Sequence, residues 1–155
     1  MRKFLVAAAT ATALVAAGLS TNVNADGVYR TERISLHALG GSPLRSGSVT
    51  NIHANGPVVY ANELYHLKGA KANTTYQVIL KVYVGSANCS GTPTVLGPTA
   101  TFTTNRAGNG HGKARFAPAA VFGFPKAPVV HGVNWEFRIG ATAAYETGCQ
   151  KVVLD

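Results

Sequence analysis

The chain has 155 residues and a formal net charge of +8, with 14 Lys and Arg against 6 Asp and Glu. That length holds one domain. The bases are scattered without a run, which excludes the interleaved basic and aromatic pattern of a nucleic-acid binder; such a surface either aids solubility or attracts polyanions such as wall polymers and acidic lipids.

In chain order, Met1, Arg2 and Lys3 form a short basic patch, and Phe4 to Leu19 is an uncharged apolar or small run. Ser20 to Asn24 is mostly polar, and Val23 and Ala25 stand at the two positions that a signal peptidase reads. This order predicts an export signal over residues 1–25, cleaved near Ala25, and a secreted, extracellular product. The apolar run is short for a membrane span. No second one follows, so no membrane span is expected after cleavage. Residues 26–155, about 130 in all, are expected to form a single domain with twice as many bases as acids.

Glu32 to Ala38 alternates, with Ile34, Leu36 and Ala38 on one face and Arg33, Ser35 and His37 on the other. That is the period of a half-buried strand. Residues 40–47 carry turn chemistry. Ser48 to His53 and Val58 to Leu67 read as strands on either side of the turn Asn55-Gly56-Pro57. Thr75 to Val84 is the strongest strand, with Tyr76, Val78, Leu80, Val82 and Val84 on one face. Thr94 to Thr104 is prone to β structure but interrupted at Gly97-Pro98, and Asn105 to Gly110 is a tight connection. Lys113 to Phe116, Val133 to Ile139 and Cys149 to Leu154 complete the series. No helical period appears. About eight short strands separated by turns predict an all-β antiparallel domain, a sandwich or barrel. Two cysteines, Cys89 and Cys149, would pair in an exported protein.

Leu67 to Val78 resembles the E–F corner of fibronectin type III domains, with Thr74 and Tyr76 at the threonine and tyrosine of the family pattern. The resemblance implies an immunoglobulin-like antiparallel β-sandwich of about 7–9 strands with one disulfide. It also implies a tyrosine corner, in which the Tyr76 hydroxyl bonds backbone a few residues upstream. Enough chain follows Tyr76 for four or more strands, so additions to that fold are expected. Thr103 to Gly110 resembles a hairpin in small secreted proteins of actinobacteria, and that likeness implies no activity.

Chemistry-bearing clusters are sparse. None of the five histidines, His37, His53, His66, His111 and His131, lies within four residues of another. A metal site would need distant strands to meet, with His66 and His131 as the residues to test. Glu63 and Glu136 could form a hydrolytic pair only if folding set them across one cleft. A cross-strand salt bridge is the commoner role for Glu136. No serine sits in a nucleophile elbow. No catalytic residue, cofactor or metal is therefore expected. The reading is a non-enzymatic secreted module that binds a protein or an anionic cell-wall or host polysaccharide. The alternatives are a small secreted hydrolase or metal enzyme, and an adhesive subunit that assembles by strand exchange. Phe122 and Phe124, in an apolar run bracketed by prolines, and Tyr83, opposite the apolar face of its strand, are the candidate partner contacts. Tyr60, Tyr65 and Tyr145 are weaker ones.

Overall fold

The computed structural model describes residues 30–53, 61–117, 123–125 and 128–154. The expected export signal and Phe122 lie outside these residues. Within them the chain forms nine strands: β1 (Arg30–Ala38), β2 (Ser46–His53), β3 (Ala61–Lys68), β4 (Thr75–Tyr83), β5 (Thr94–Thr103), β6 (Gly110–Phe116), β7 (Val130–Ile139), β8 (Thr142–Thr147) and β9 (Gln150–Val153). Every pairing is antiparallel. No helix of the described residues is long and apolar enough to cross a membrane.

The strands follow the order β5-β4-β7-β8-β1-β2-β3-β6, and β9 pairs β7 beside that path. β1 joins the two halves. Arg30 to Ser35 pair β2, whereas Leu36 to Ala38 pair β8. The result is a nearly closed, barrel-like sheet whose ends, β5 and β6, face one another without a ladder between them. Packing rather than hydrogen bonding closes that seam. A Cβ on Gly112 would come within 2.5 Å of the Phe102 ring, and one on Gly110 within 3.1 Å. Phe102 can lie over β6 only because these two positions are bare.

The interior is aromatic. Tyr65 meets Phe137 edge-on at 5.7 Å, Phe137 meets Phe102 at 6.0 Å, and Tyr76 stacks at a tilt on Tyr145 at 5.5 Å. Edge-to-face and offset pairs of this kind add to the burial of apolar area. The face anticipated for β4 is buried from Tyr76 through Val82, while Val84, beyond the strand end, is 46% exposed. β5 runs through Gly97-Pro98 instead of breaking there. The peptide is cis, and the register against β4 shifts between Val78 and Leu80. Sequence periodicity does not predict β8: two alanines give it little β preference. It forms because Ala144 and Tyr145 bury against the core and Gly140 turns the chain back with φ 58°.

Cys89 and Cys149 are bonded, with 5.8 Å between their Cα atoms. The bridge ties the loop after β4 to the junction of β8 and β9. Tyr76 is fully buried, and its hydroxyl meets the Lys71 backbone and the Tyr145 hydroxyl, the latter at 3.1 Å. The all-β, antiparallel and single-disulfide expectations are met. The ladders are continuous through β1, which makes the sheet barrel-like.

Candidate functional site

The β1–β2–β3–β6 ladder has two chemically distinct faces. Ile34, Val49, Tyr65 and Leu67 are buried inward. Alternation therefore sends their neighbours outward. The register aligns these neighbours in rows. Ser35, Ser48, His66 and His111 form one, and Arg33, Thr50, Leu64 and Lys113 the next. Asn62 and Arg115 are paired beyond them, and Lys68 lies at the end of β3. The outward positions of this ladder hold Arg33, Lys68, Lys113 and Arg115 together with two histidines, and no carboxylate among the described residues.

An open groove of about 790 Å³ lies over this face, lined by Arg33, Ser48, His66, Lys68 and His111 and walled by Asn105 and Asn109. The wall is a built turn. Asn105 Oδ1 accepts from the Ala107 and Asn109 amides at 2.9 and 3.0 Å, and the Asn105 amide donates to the Asn109 carbonyl at 2.8 Å. Asn109 Oδ1 accepts from the Gly69 amide at 3.2 Å. Gly108 has φ 71°, and a Cβ there would sit 2.0 Å from the Ala70 carbonyl oxygen, so only glycine fits. On the groove floor Ser48 is 3% exposed, and its Oγ has no hydrogen-bond partner among the described residues.

The inward face centres on Glu63, which is 2% exposed. Tyr65 donates its hydroxyl hydrogen to the Glu63 carboxyl, and Trp135 Nε1 donates to it at 2.8 Å. The Tyr65 hydroxyl also meets Thr99 Oγ1 at 2.9 Å. Burial raises the Glu63 pKa from 4.5 to about 7, because the two donors restore only part of the lost hydration. Burial likewise pushes the Tyr65 hydroxyl up, with the neighbouring carboxylate adding to it. A cavity of about 60 Å³ adjoins this cluster, walled mainly by apolar side chains that include Phe124 and Leu154. That is room for a few waters at most.

The residues singled out in the sequence scatter. Phe124 is half-buried on the wall of the cavity, edge-on to His131 at 6.4 Å. Tyr83 is half-buried, and Tyr65 and Tyr145 are fully buried. His131 is interior: its Nε2 meets the Pro125 carbonyl at 2.7 Å and its Nδ1 accepts from the Gly85 amide at 3.3 Å. It therefore holds two loops and stays apart from His66, which faces out. Among the described residues no three His, Cys, Asp or Glu side chains converge as metal ligands would. Glu63 and Glu136 do not share a cleft, because Glu63 points inward and Glu136 lies on the outer side of β7, opposite Trp135. Burial works to raise the Glu136 pKa, but hydrogen bonds from Lys81 and Arg138 outweigh it and hold the carboxyl below its usual range. Sequence reasoning missed the row of Ser48, His66 and His111. No signal along the chain reports it, since only strand register makes these residues neighbours.

Comparison with family models, curated proteins and solved structures finds no match to the chain.

Proposed function

We propose that the protein is a non-enzymatic secreted binding module that engages an anionic cell-surface or wall polymer through the outer face of the β1–β2–β3–β6 ladder. The observation that carries this reading is the set of outward positions, basic or neutral throughout and without a carboxylate. Coulomb attraction between exposed charges is screened beyond about 8 Å at physiological salt. A polymer is longer than that distance and meets the cations in turn: Lys113 and Arg115 are outward neighbours on β6, and Arg33 stands in the Lys113 row beyond β2 and β3. Export with cleavage near Ala25 would bring the module to such a polymer. The disulfide is compatible with that location. The fold belongs to the same reading: two ladders joined through β1, with Tyr76 at the turn into β4, support an immunoglobulin-like variant.

The test is calorimetric titration with heparin, polyphosphate and neutral dextran. One or both anionic polymers should bind, and dextran should not. Affinity should fall steeply between about 50 and about 200 mM salt as counterions are released. The double variant Arg33→Glu, Lys113→Glu should lose at least about tenfold in affinity. Equal binding of dextran, or no binding by any anionic polymer, would remove this reading.

A further inference from the structure

Positive charge attracts any polyanion, but the groove over the ladder is more selective than its charge. The amide oxygens of Asn105 and Asn109 both accept from backbone N–H groups, two at Asn105 and one at Asn109. These bonds orient each amide and leave its NH₂ as a free donor. Arg33 has donors and no acceptor. The Ser48 hydroxyl, 3% exposed, has no partner among the described residues. His66 and His111 are directly opposed across β3 and β6 and line the same groove. In any tautomer each ring carries at least one N–H. The groove is thus lined by hydrogen-bond donors from four strands and one pinned turn, with no competing carboxylate on the ladder's outward positions.

Resting on the polymer-binding reading above, we infer that this groove is a site for a tetrahedral oxyanion, the phosphate or sulfate group of the polymer. Such a group has three or four acceptor oxygens and no strong donor when ionised. It matches convergent N–H and O–H groups better than a carboxylate does, because its oxygens point in more than one plane. Charge-assisted hydrogen bonds of this type are about twice as strong as neutral ones. The rival occupant is a divalent metal chelated by His66 and His111. Two imidazoles make an incomplete ligand set. Arg33, Lys68 and Lys113 around them would repel the ion, and no carboxylate of the ladder's outward face offsets that repulsion.

The experiment is a titration of the purified protein with inorganic phosphate and inorganic sulfate at constant ionic strength, read from the imidazole resonances. Those of His66 and His111 should shift saturably, and that of His131, inside the barrel, should not. Asn109→Asp is the decisive variant. It keeps an oxygen for the Gly69 amide but turns the groove-facing donor into a charged acceptor, so phosphate affinity should fall at least about tenfold with the melting curve kept. Ser48→Ala should cost about threefold, the loss of one neutral donor. Competition between inorganic phosphate and each polymer separates the sources: displacement of polyphosphate assigns a phosphate polymer, and displacement of heparin a sulfated one. Shifts no larger than chloride produces, an Asn109→Asp variant that binds like the parent, or zinc held stoichiometrically in excess phosphate would each overturn the inference. Polymer binding that inorganic phosphate cannot compete would defeat this inference and leave the polymer reading standing. Saturable phosphate binding with no polymer binding would do the reverse.

Discussion

Along β3, Glu63 and Tyr65 turn toward the interior, whereas Leu64, His66 and Lys68 turn toward solvent. The inner face holds the Glu63 carboxyl in a dry site, clasped by a phenol and an indole, with its pKa raised to about 7. The outer face holds cations and histidines in water. Residues one step apart along one strand thus live under opposite electrostatics, because a strand alternates its side chains between two media. Stability is concentrated on one face and binding potential on the other. Substitutions on the inner face should change unfolding with little effect on polymer affinity, and substitutions on the outer face should do the converse.

The largest break in that comparison should come from Trp135→Ala. It removes a 2% exposed indole and leaves Glu63 short of a donor, so the expected loss is about 3–5 kcal/mol in denaturant unfolding. The folded fraction should keep its polymer affinity at low temperature. If that affinity vanishes while the protein is folded, the two faces are not independent.

Removing the Cys89–Cys149 bridge by a double alanine substitution opens a loop with a sequence separation of 60. Loop-closure entropy puts its effect at about 2–4 kcal/mol, the bridge acting mainly on the unfolded chain. Chemical denaturation of the oxidised protein and of the variant measures it. The groove, built from β1, β2, β3, β6 and the 105–109 turn, should bind as before.

Glu63 couples the interior to pH. Its folded pKa of about 7 lies above 4.5, so between these values the native state holds a proton that the unfolded chain has released. Stability from this group is therefore full below pH 4.5 and declines as the pH rises toward 7. The decline is worth roughly 3 kcal/mol as an order of magnitude. Glu136 acts oppositely: its lowered pKa stabilises the fold above the normal carboxyl range and loses that effect as the pH falls. Glu63→Gln should remove the decline above pH 4.5 and make the protein more stable than the parent at pH 8. Parallel pH profiles for the two proteins would show that Glu63 is ionised at neutral pH in the native state.

The smallest effect on stability belongs to Arg33→Glu with Lys113→Glu. Both side chains are exposed, and the change should stay within about 0.5 kcal/mol per site. The same variant should show the largest loss of polymer binding, which makes the outer face separable from the fold.

Much of the fold could be read along the chain. The alternation from Thr75 and from Val133 marks β4 and β7 as half-buried strands, and their apolar faces meet in the core. The even cysteine count points to a bridge, which is present. β8 escaped the reading because its burial comes from neighbours rather than from its own pattern. The groove escaped it because His66 and His111 are 45 positions apart in a 155-residue chain, and only their shared register puts them side by side. Glu63 and Glu136 look alike as letters. The face on which each falls sends one into a dry cavity and the other into a pair of ion contacts.

Apart from β8, the amino-acid sequence by itself determined which stretches become strands and, for β1, β4 and β7, which side turns from water, since that depends on local alternation and turn chemistry. Only the tertiary structure decided the order of strands, the switch of β1 between partners, the seam that Phe102 closes over Gly110 and Gly112, and the gathering of donors over Ser48. Those features depend on which distant segments share a ladder. Hydrogen-bonded register sets that, and the net of many packing contacts selects it, with no trace in any short window of residues.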